Sequence, residues 1–182
     1  MSPSSASPSQ LDGSSLDEHN NRINNLLESV NFDEMDADAI LAWAAQNFSA
    51  ERVVLNTSLQ MAGVAMIHLA ATAHLPIRIA TIDTLRLPQE TYAFLRELEE
   101  RYDIDIEVQR PDPEKVKRMV RRFGEFLFFD GKHLQEHCCQ VRKVFPNNEL
   151  MKTADCWISG VRRDQSELRR VTPKATSVTE YG

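Results

Sequence analysis

Apolar residues recur along this chain with two periods, and the period changes near residue 52. Ile23, Leu26, Leu27 and Val30 fall three and four apart, and Ile40, Leu41, Trp43 and Ala44 repeat the habit within residues 36–48. That spacing lines one side of a helix and predicts two helices ahead of the core. Short β-branched runs then alternate with longer helical patterns. RVVLNTS (52–58), IRIATID (77–83) and IDIEVQRP (104–111) read as strands, and CWIS (156–159) as a fourth. Residues 63–74 read as an apolar helix and 90–102 as a strongly amphipathic one. Residues 113–124 read as a helix with Pro113 in its first turn and Gly124 past its end, the usual placement of those two residues. Strand and helix alternating at this pitch predict an α/β fold with a parallel sheet, helix layers on both faces and right-handed crossovers. No internal repeat of fixed period interrupts the pattern.

Composition narrows what such a fold does. A chain of 182 residues with 42% hydrophobic content carries one ordinary core. The first twenty residues are Ser/Pro-rich and nearly free of large apolar side chains, so residues 1–20 are expected to be a disordered tail. The Ser/Thr-rich stretch 172–182 is expected to be a second tail, leaving 21–171 as the domain. A formal net charge of −6 speaks against a general nucleic-acid binder, which needs a cationic docking face. No apolar run is long enough to span a bilayer, and the start does not read as an export signal, so a cytoplasmic protein without a membrane partner is expected. Three cysteines, two of them adjacent, do not make a disulfide framework.

In a parallel α/β sheet, ligands sit beyond the carboxyl ends of the strands. Asn56-Thr57-Ser58-Leu59-Gln60, where the first strand meets its helix, offers hydroxyls and amides to an anion. A plain helix cap by Thr57 or Ser58 explains the same residues. Asp83-Thr84-Leu85-Arg86 ends the second strand and reads either as a site or as a polar turn. Cys138 and Cys139 stand among His137, Arg142 and Lys143. Adjacent thiolates can ligate neighbouring irons of one cluster, and a nearby ammonium lowers a thiol pKa. Two small buried hydrophobes are the alternative, weakened by that polar setting. Arg162, Arg163, Arg169 and Arg170 follow the fourth strand, expected to be buried. They read as an anion site, since a guanidinium fork matches sulfate and phosphate oxygens in pairs.

The run Cys138-Cys139-Gln140-Val141-Arg142-Lys143-Val144-Phe145-Pro146, followed by Trp157-Ile158-Ser159-Gly160-Val161-Arg162-Arg163-Asp164-Gln165-Ser166, resembles the assimilatory adenylyl-sulfate and phosphoadenylyl-sulfate reductases. Ile82-Asp83-Thr84 with Arg86-Leu87 and Glu90-Thr91-Tyr92 matches a further motif of that family in order. The resemblance runs from about Leu41 to Arg170. It implies an adenine-nucleotide alpha-hydrolase-like fold of the PP-loop type and the reductive cleavage of adenylyl sulfate, or phosphoadenylyl sulfate, to sulfite and AMP or PAP. In the family a cysteine near the C-terminus attacks the sulfuryl sulfur, and thioredoxin or glutaredoxin then frees sulfite.

By the same resemblance, Cys138 and Cys139 would supply two ligands of a four-iron, four-sulfur cluster, a mark of the branch that generally uses adenylyl sulfate. Lys143 would lie between cluster and substrate, Arg162 and Arg163 would hold the phosphosulfate, Ser58 the nucleotide end, and Arg86 would also contact substrate. The family's later Cys-x-x-Cys and its terminal Cys-Gly-Ile-His or Cys-Gly-Leu-His segment have no counterpart, so the chain is expected to be truncated, without a catalytic nucleophile and with two cluster ligands missing. Leu85 stands where members usually have glycine, and Ala62 and Gly63 fall where an acidic residue is common. A non-catalytic sulfonucleotide-binding protein or subunit is the second expectation. Another PP-loop enzyme is the third, weakened by the missing Ser-Gly-Gly signature between Asn56 and Gly63. A homo-oligomer is compatible with the sequence.

Overall fold

The computed structural model describes residues 13–178. The expected tails at 1–12 and 179–182 lie outside the described residues. Seven α-helices and four strands are described in the order α1 (Gly13–Glu28), α2 (Ala37–Asn47), β1 (Val53–Thr57), α3 (Met61–Thr72), β2 (Arg78–Ile82), α4 (Gln89–Tyr102), β3 (Ile106–Gln109), α5 (Pro113–Phe123), α6 (Lys132–Cys139), α7 (Phe145–Met151) and β4 (Cys156–Ser159). Two expectations about the tails change. Residues 13–20 belong to α1 rather than to a tail. Residues 172–178 lack regular structure, yet Lys174 Nζ donates to the carbonyls of Asp33 and Met35 at 3.0 and 2.8 Å and fastens the segment to the turn before α2.

All pairings within the sheet are parallel, and its order is β3-β2-β1-β4. Successive residues of a strand face opposite sides, and β1 displays this directly. Leu55 packs with Ile67 of α3 and Leu98 of α4, together with Ile79 and Ile106. Val54, one residue earlier, packs with Ala80, Leu150 and Met151 under α7. Helices therefore cover both faces, which is the three-layer arrangement expected. A third apolar cluster, Met119, Leu127, Cys138 and Val141, joins α5 to α6.

The fourth strand departs from its expectation. It pairs with β1 alone and lies at the sheet's edge, and Trp157 is 41% exposed, so it is not a buried strand. The connection from β3 to β4 crosses β2 and β1 on the α7 face, whereas the first two connections run on the α3 and α4 face. The winding reverses between β1 and β4, and in open parallel sheets such a reversal leaves a crevice beyond the carboxyl ends of the two strands.

Helix α6 runs without a break through a widened π turn, Gln140–Val144, into α7. Pro146 explains the widening. It has no N–H to give the residue-142 carbonyl, and its ring would clash there in a regular helix.

Candidate functional site

Four strand ends build the carboxyl rim. After β1, Thr57 Oγ1 accepts the Leu59 N–H at 3.0 Å, and Leu59 adopts φ 58°. After β2, Asp83 Oδ1 accepts the Leu85 N–H at 2.8 Å, and Leu85 likewise adopts φ 58°. Both turns place leucine in the left-handed region that glycine occupies without steric cost. At Leu85, where the family usually has glycine, the turn keeps glycine's conformation with a side chain that is exposed. The capping reading of the first turn is corrected: Gln60 is the cap residue of α3 and makes no side-chain cap bond, while Thr57 serves the turn. Ser58 is exposed, and among the described residues its hydroxyl has no hydrogen-bond partner.

The start of α3 lies hard against both β1 and β4. A Cβ at Gly63 would collide with Thr57 Oγ1, and one at Gly160 would stand 3.0 Å from Gly63 N and 3.2 Å from the Ala62 carbonyl carbon. Glycine at both positions closes the gap between helix start and strand ends, so the first-turn N–H groups of α3 border the crevice between β1 and β4.

Lys143 reaches the same rim from the other face. Asn56 Nδ2 donates to Asn147 Oδ1 at 2.7 Å, while Leu150 and Met151 pack on Val54. Helix α7 thus runs opposite to β1. Lys143, four residues before Asn147, projects about 6 Å further past the strand's carboxyl end at the usual helical rise. It is exposed, and among the described residues it has no ion-pair partner. Its neighbour Arg142 turns inward: it is 6% exposed and donates through Nη1 to the Thr84 carbonyl at 3.0 Å, and its Nε is buried without a partner. No carboxylate pairs with this guanidinium among the described residues, which leaves a costly uncompensated charge at the end of β2.

The other arginines of the expected site are committed to protein partners. Arg86 lies over the Phe126 and Phe128 rings, 5.4 and 5.1 Å from their centroids, and donates to the Glu125 carbonyl. Arg162 Nε meets Asp164 Oδ1 at 2.9 Å. Arg163 Nη2 meets Asp33 Oδ1 at 2.8 Å and its Nε donates to the Thr172 carbonyl at 2.9 Å. Arg169 is held by Gln165 and Arg170 by Glu167. Exposed pairs of this kind are weak and exchange readily for a better anion. Ser58, Lys143, Arg162 and Arg163 follow strand ends or overhang them on one rim, whereas Arg86 is turned toward the 125–128 turn.

Sequence reasoning missed a buried node. Asp83, 2% exposed, also accepts the Tyr92 hydroxyl at 2.9 Å and Arg110 Nε at 3.1 Å. Burial alone would raise its carboxyl pKa, and the three donors outweigh burial and hold it below the usual value. The signal available was Tyr92 nine positions on, within a motif already noted.

The paired cysteines separate. Cys138 is buried against Met119, Leu127 and Val141, and Cys139 is exposed. Residues adjacent on a helix face different directions, so the two thiols do not share one environment. Cys156, on β4, is a third free thiol, and burial with the nearby Asp155 carboxylate pushes its pKa up to about 12. A four-iron cluster takes four thiolates. No group of three or more His, Cys, Asp or Glu side chains gathers among the described residues. The residues described do not by themselves fit such a cluster.

The parallel four-stranded sheet with helices on both faces defines the class of this chain as a three-layer α/β protein. Residues 52–181 match the phosphoadenosine phosphosulfate reductase domain, and the chain belongs to that family. It is 42% identical over 103 residues to 5'-adenylylsulfate reductase 1, chloroplastic, of Arabidopsis thaliana, covering 57% of this chain and 22% of that protein. It is 35% identical over 124 residues to adenosine 5'-phosphosulfate reductase of Agrobacterium fabrum, covering 68% of this chain and 48% of that one. The chain thus spans about half the length of this bacterial relative and less of the plant one. The fold is similar to that of phosphoadenylyl-sulfate reductase from Candida auris, with a TM-score of 0.59 at 18% identity over 86% of this chain and 71% of that one. Among the described residues no helix is long and apolar enough to cross a membrane.

Proposed function

We propose that this chain binds adenylyl sulfate, or its 3'-phosphorylated form, across the carboxyl rim and serves the reductive cleavage of that sulfonucleotide to sulfite and AMP or PAP. What supports the reading is that Lys143 is exposed past the carboxyl end of β1 with no ion-pair partner among the described residues, and that Gly160 and the arginine pair follow β4, the strand paired with β1. Lys143, Arg162 and Arg163 would hold the phosphosulfate, and Ser58 with the first turn of α3 would hold the nucleotide end. Cleavage of the sulfur–oxygen bond leaves charge on the phosphate oxygen, and preplaced cations stabilise it as it forms. The two electrons needed to take the sulfuryl group to sulfite would come from thioredoxin or glutaredoxin, which leave as disulfides, in a cytoplasmic or organellar reducing compartment.

A second reading is a sulfonucleotide-binding protein or subunit without turnover. It is favoured by the setting of Cys156, where burial and the Asp155 carboxylate push the thiol pKa up to about 12 and leave little nucleophilic thiolate at neutral pH. Calorimetric titration tests the shared pocket. Adenylyl sulfate is expected to bind at one site at least about tenfold more tightly than AMP, since the sulfate oxygens engage charge-assisted donors. Equal affinity for the two nucleotides contradicts the reading. Iron retained on purification, together with sulfite release in the presence of a dithiol donor, separates the enzyme from the binding protein.

A further inference from the structure

Arg163 faces a carboxylate 130 positions away in the chain. Its Nη2 lies 2.8 Å from Asp33 Oδ1, and its Nε donates to the Thr172 carbonyl at 2.9 Å. Lys174, two residues past Thr172, closes the ring by donating to the carbonyls of Asp33 and Met35. The turn that carries Asp33 is anchored from beneath: Phe32 is buried, and its ring meets Trp43 of α2 edge-on with centroids 4.8 Å apart. Asp33 is therefore presented by a fixed turn, while residues 172–174 are tied to the protein through Arg163 and Lys174. The guanidinium also holds the Asp33 carboxyl below its ordinary pKa, so the carboxylate is charged at neutral pH.

We propose that Asp33 is an intramolecular competitor for the anion site: its carboxylate occupies the fork of Arg163 that a phosphosulfate would take, and ligand binding frees Arg163 from Asp33 and from the Thr172 carbonyl, which leaves the 172–174 strap held through Lys174 alone. The inference rests on the reading of Arg163 as a phosphosulfate ligand and adds its regulation. The physical case is one of exchange. Arg163 and Asp33 are both solvent-exposed, 48% and 69% by side chain, so their attraction is screened and easily broken. A sulfonucleotide brings more negative charge and paired oxygens to the same fork, and it gains from Lys143 and Arg162 as well. Breaking the Arg163 contact removes the bond to the Thr172 carbonyl at the same time, which couples ligand binding to the freedom of the strap.

The test is calorimetric affinity for adenylyl sulfate in the full chain, its Asp33→Ala and Asp33→Asn variants and Arg163→Ala. It is read beside the rate of tryptic cleavage after Lys174. Removing the competitor is expected to tighten binding by roughly two- to fivefold, the range an exposed pair is worth, and Arg163→Ala is expected to weaken it. Saturating adenylyl sulfate is expected to speed cleavage after Lys174 in the unmodified chain. Arg163-dependent binding of equal strength in the Asp33 variants and the unmodified chain overturns the competition and leaves the binding site standing. Absence of binding in every variant overturns both. Asp33 is exposed and caps no helix through its side chain, so its variants are expected to fold normally.

Discussion

Cys138 and Cys139 occupy consecutive positions and opposite environments, and that difference is open to chemistry. Cys138 is packed in the α5–α6 cluster, Cys156 is held protonated well above pH 9, and Cys139 is exposed. A thiol-alkylating reagent at pH 8 is expected to modify Cys139 within minutes and to reach the other two only after denaturation, as read by peptide mass. Equal labelling of Cys138 and Cys139 in the native chain would contradict the packing. Asp83 gives a second prediction at this scale. Its folded pKa lies below the unfolded value, so its contribution to stability is present above about pH 4 and is lost as the pH falls through the folded value. Asp83→Asn is expected to cost about 1–3 kcal/mol at neutral pH, the penalty of disturbing buried bonds. The variant is also expected to lose less stability than the unmodified chain on acidification below pH 4. Parallel urea melts at pH 7 and pH 3.5 check both statements.

At the scale of elements, the strands and helices from residue 52 to 124 were legible because period-2 and period-3.6 patterns alternate cleanly there, with Pro113 and Gly124 marking one helix at both ends. The segment 132–151 was not. His, Cys, Arg, Lys and Pro break its apolar period, and Pro146 reads as a stop. The chain instead widens one turn to Gln140–Val144 and continues. It is this continuation that carries Lys143 past the end of β1. The exposed placement of β4 was also hidden, since a four-residue run does not tell an edge from a centre. The close approach at the start of α3 was missed because nothing in a sequence announces which side chain a glycine must avoid. Gly63→Ala is expected to destabilise by about 1–3 kcal/mol through overpacking on Thr57. Thr57→Ala is expected to recover part of that loss, so that the double variant unfolds at higher denaturant than additivity allows. Strictly additive losses would mean that the two groups do not meet.

For the whole molecule, sheet order decides where chemistry gathers. The order β3-β2-β1-β4 puts the reversal of winding between β1 and β4, and the Trp157–Ser166 string that resembles the reductase family runs through the end of β4 into the residues after it. Family and fold were readable from local strings such as Cys138-Cys139 and Arg162-Arg163-Asp164-Gln165-Ser166. The contacts that arrange the rim were not, because they join residues far apart in the chain: Asp83 with Arg110, Thr84 with Arg142, Asn56 with Asn147 and Arg163 with Asp33. Only the folded sheet brings these pairs together, and each is a single polar contact that leaves no periodic trace. Lys143, standing past the end of β1, is proposed to face the same anion as the crevice beside β4. The most direct test is the dissociation constant of adenylyl sulfate for Lys143→Ala relative to the unmodified chain. Loss of a charge-assisted contact of about 1.5–3 kcal/mol predicts a weakening of at least about tenfold, and an unchanged constant in a folded variant would contradict the account.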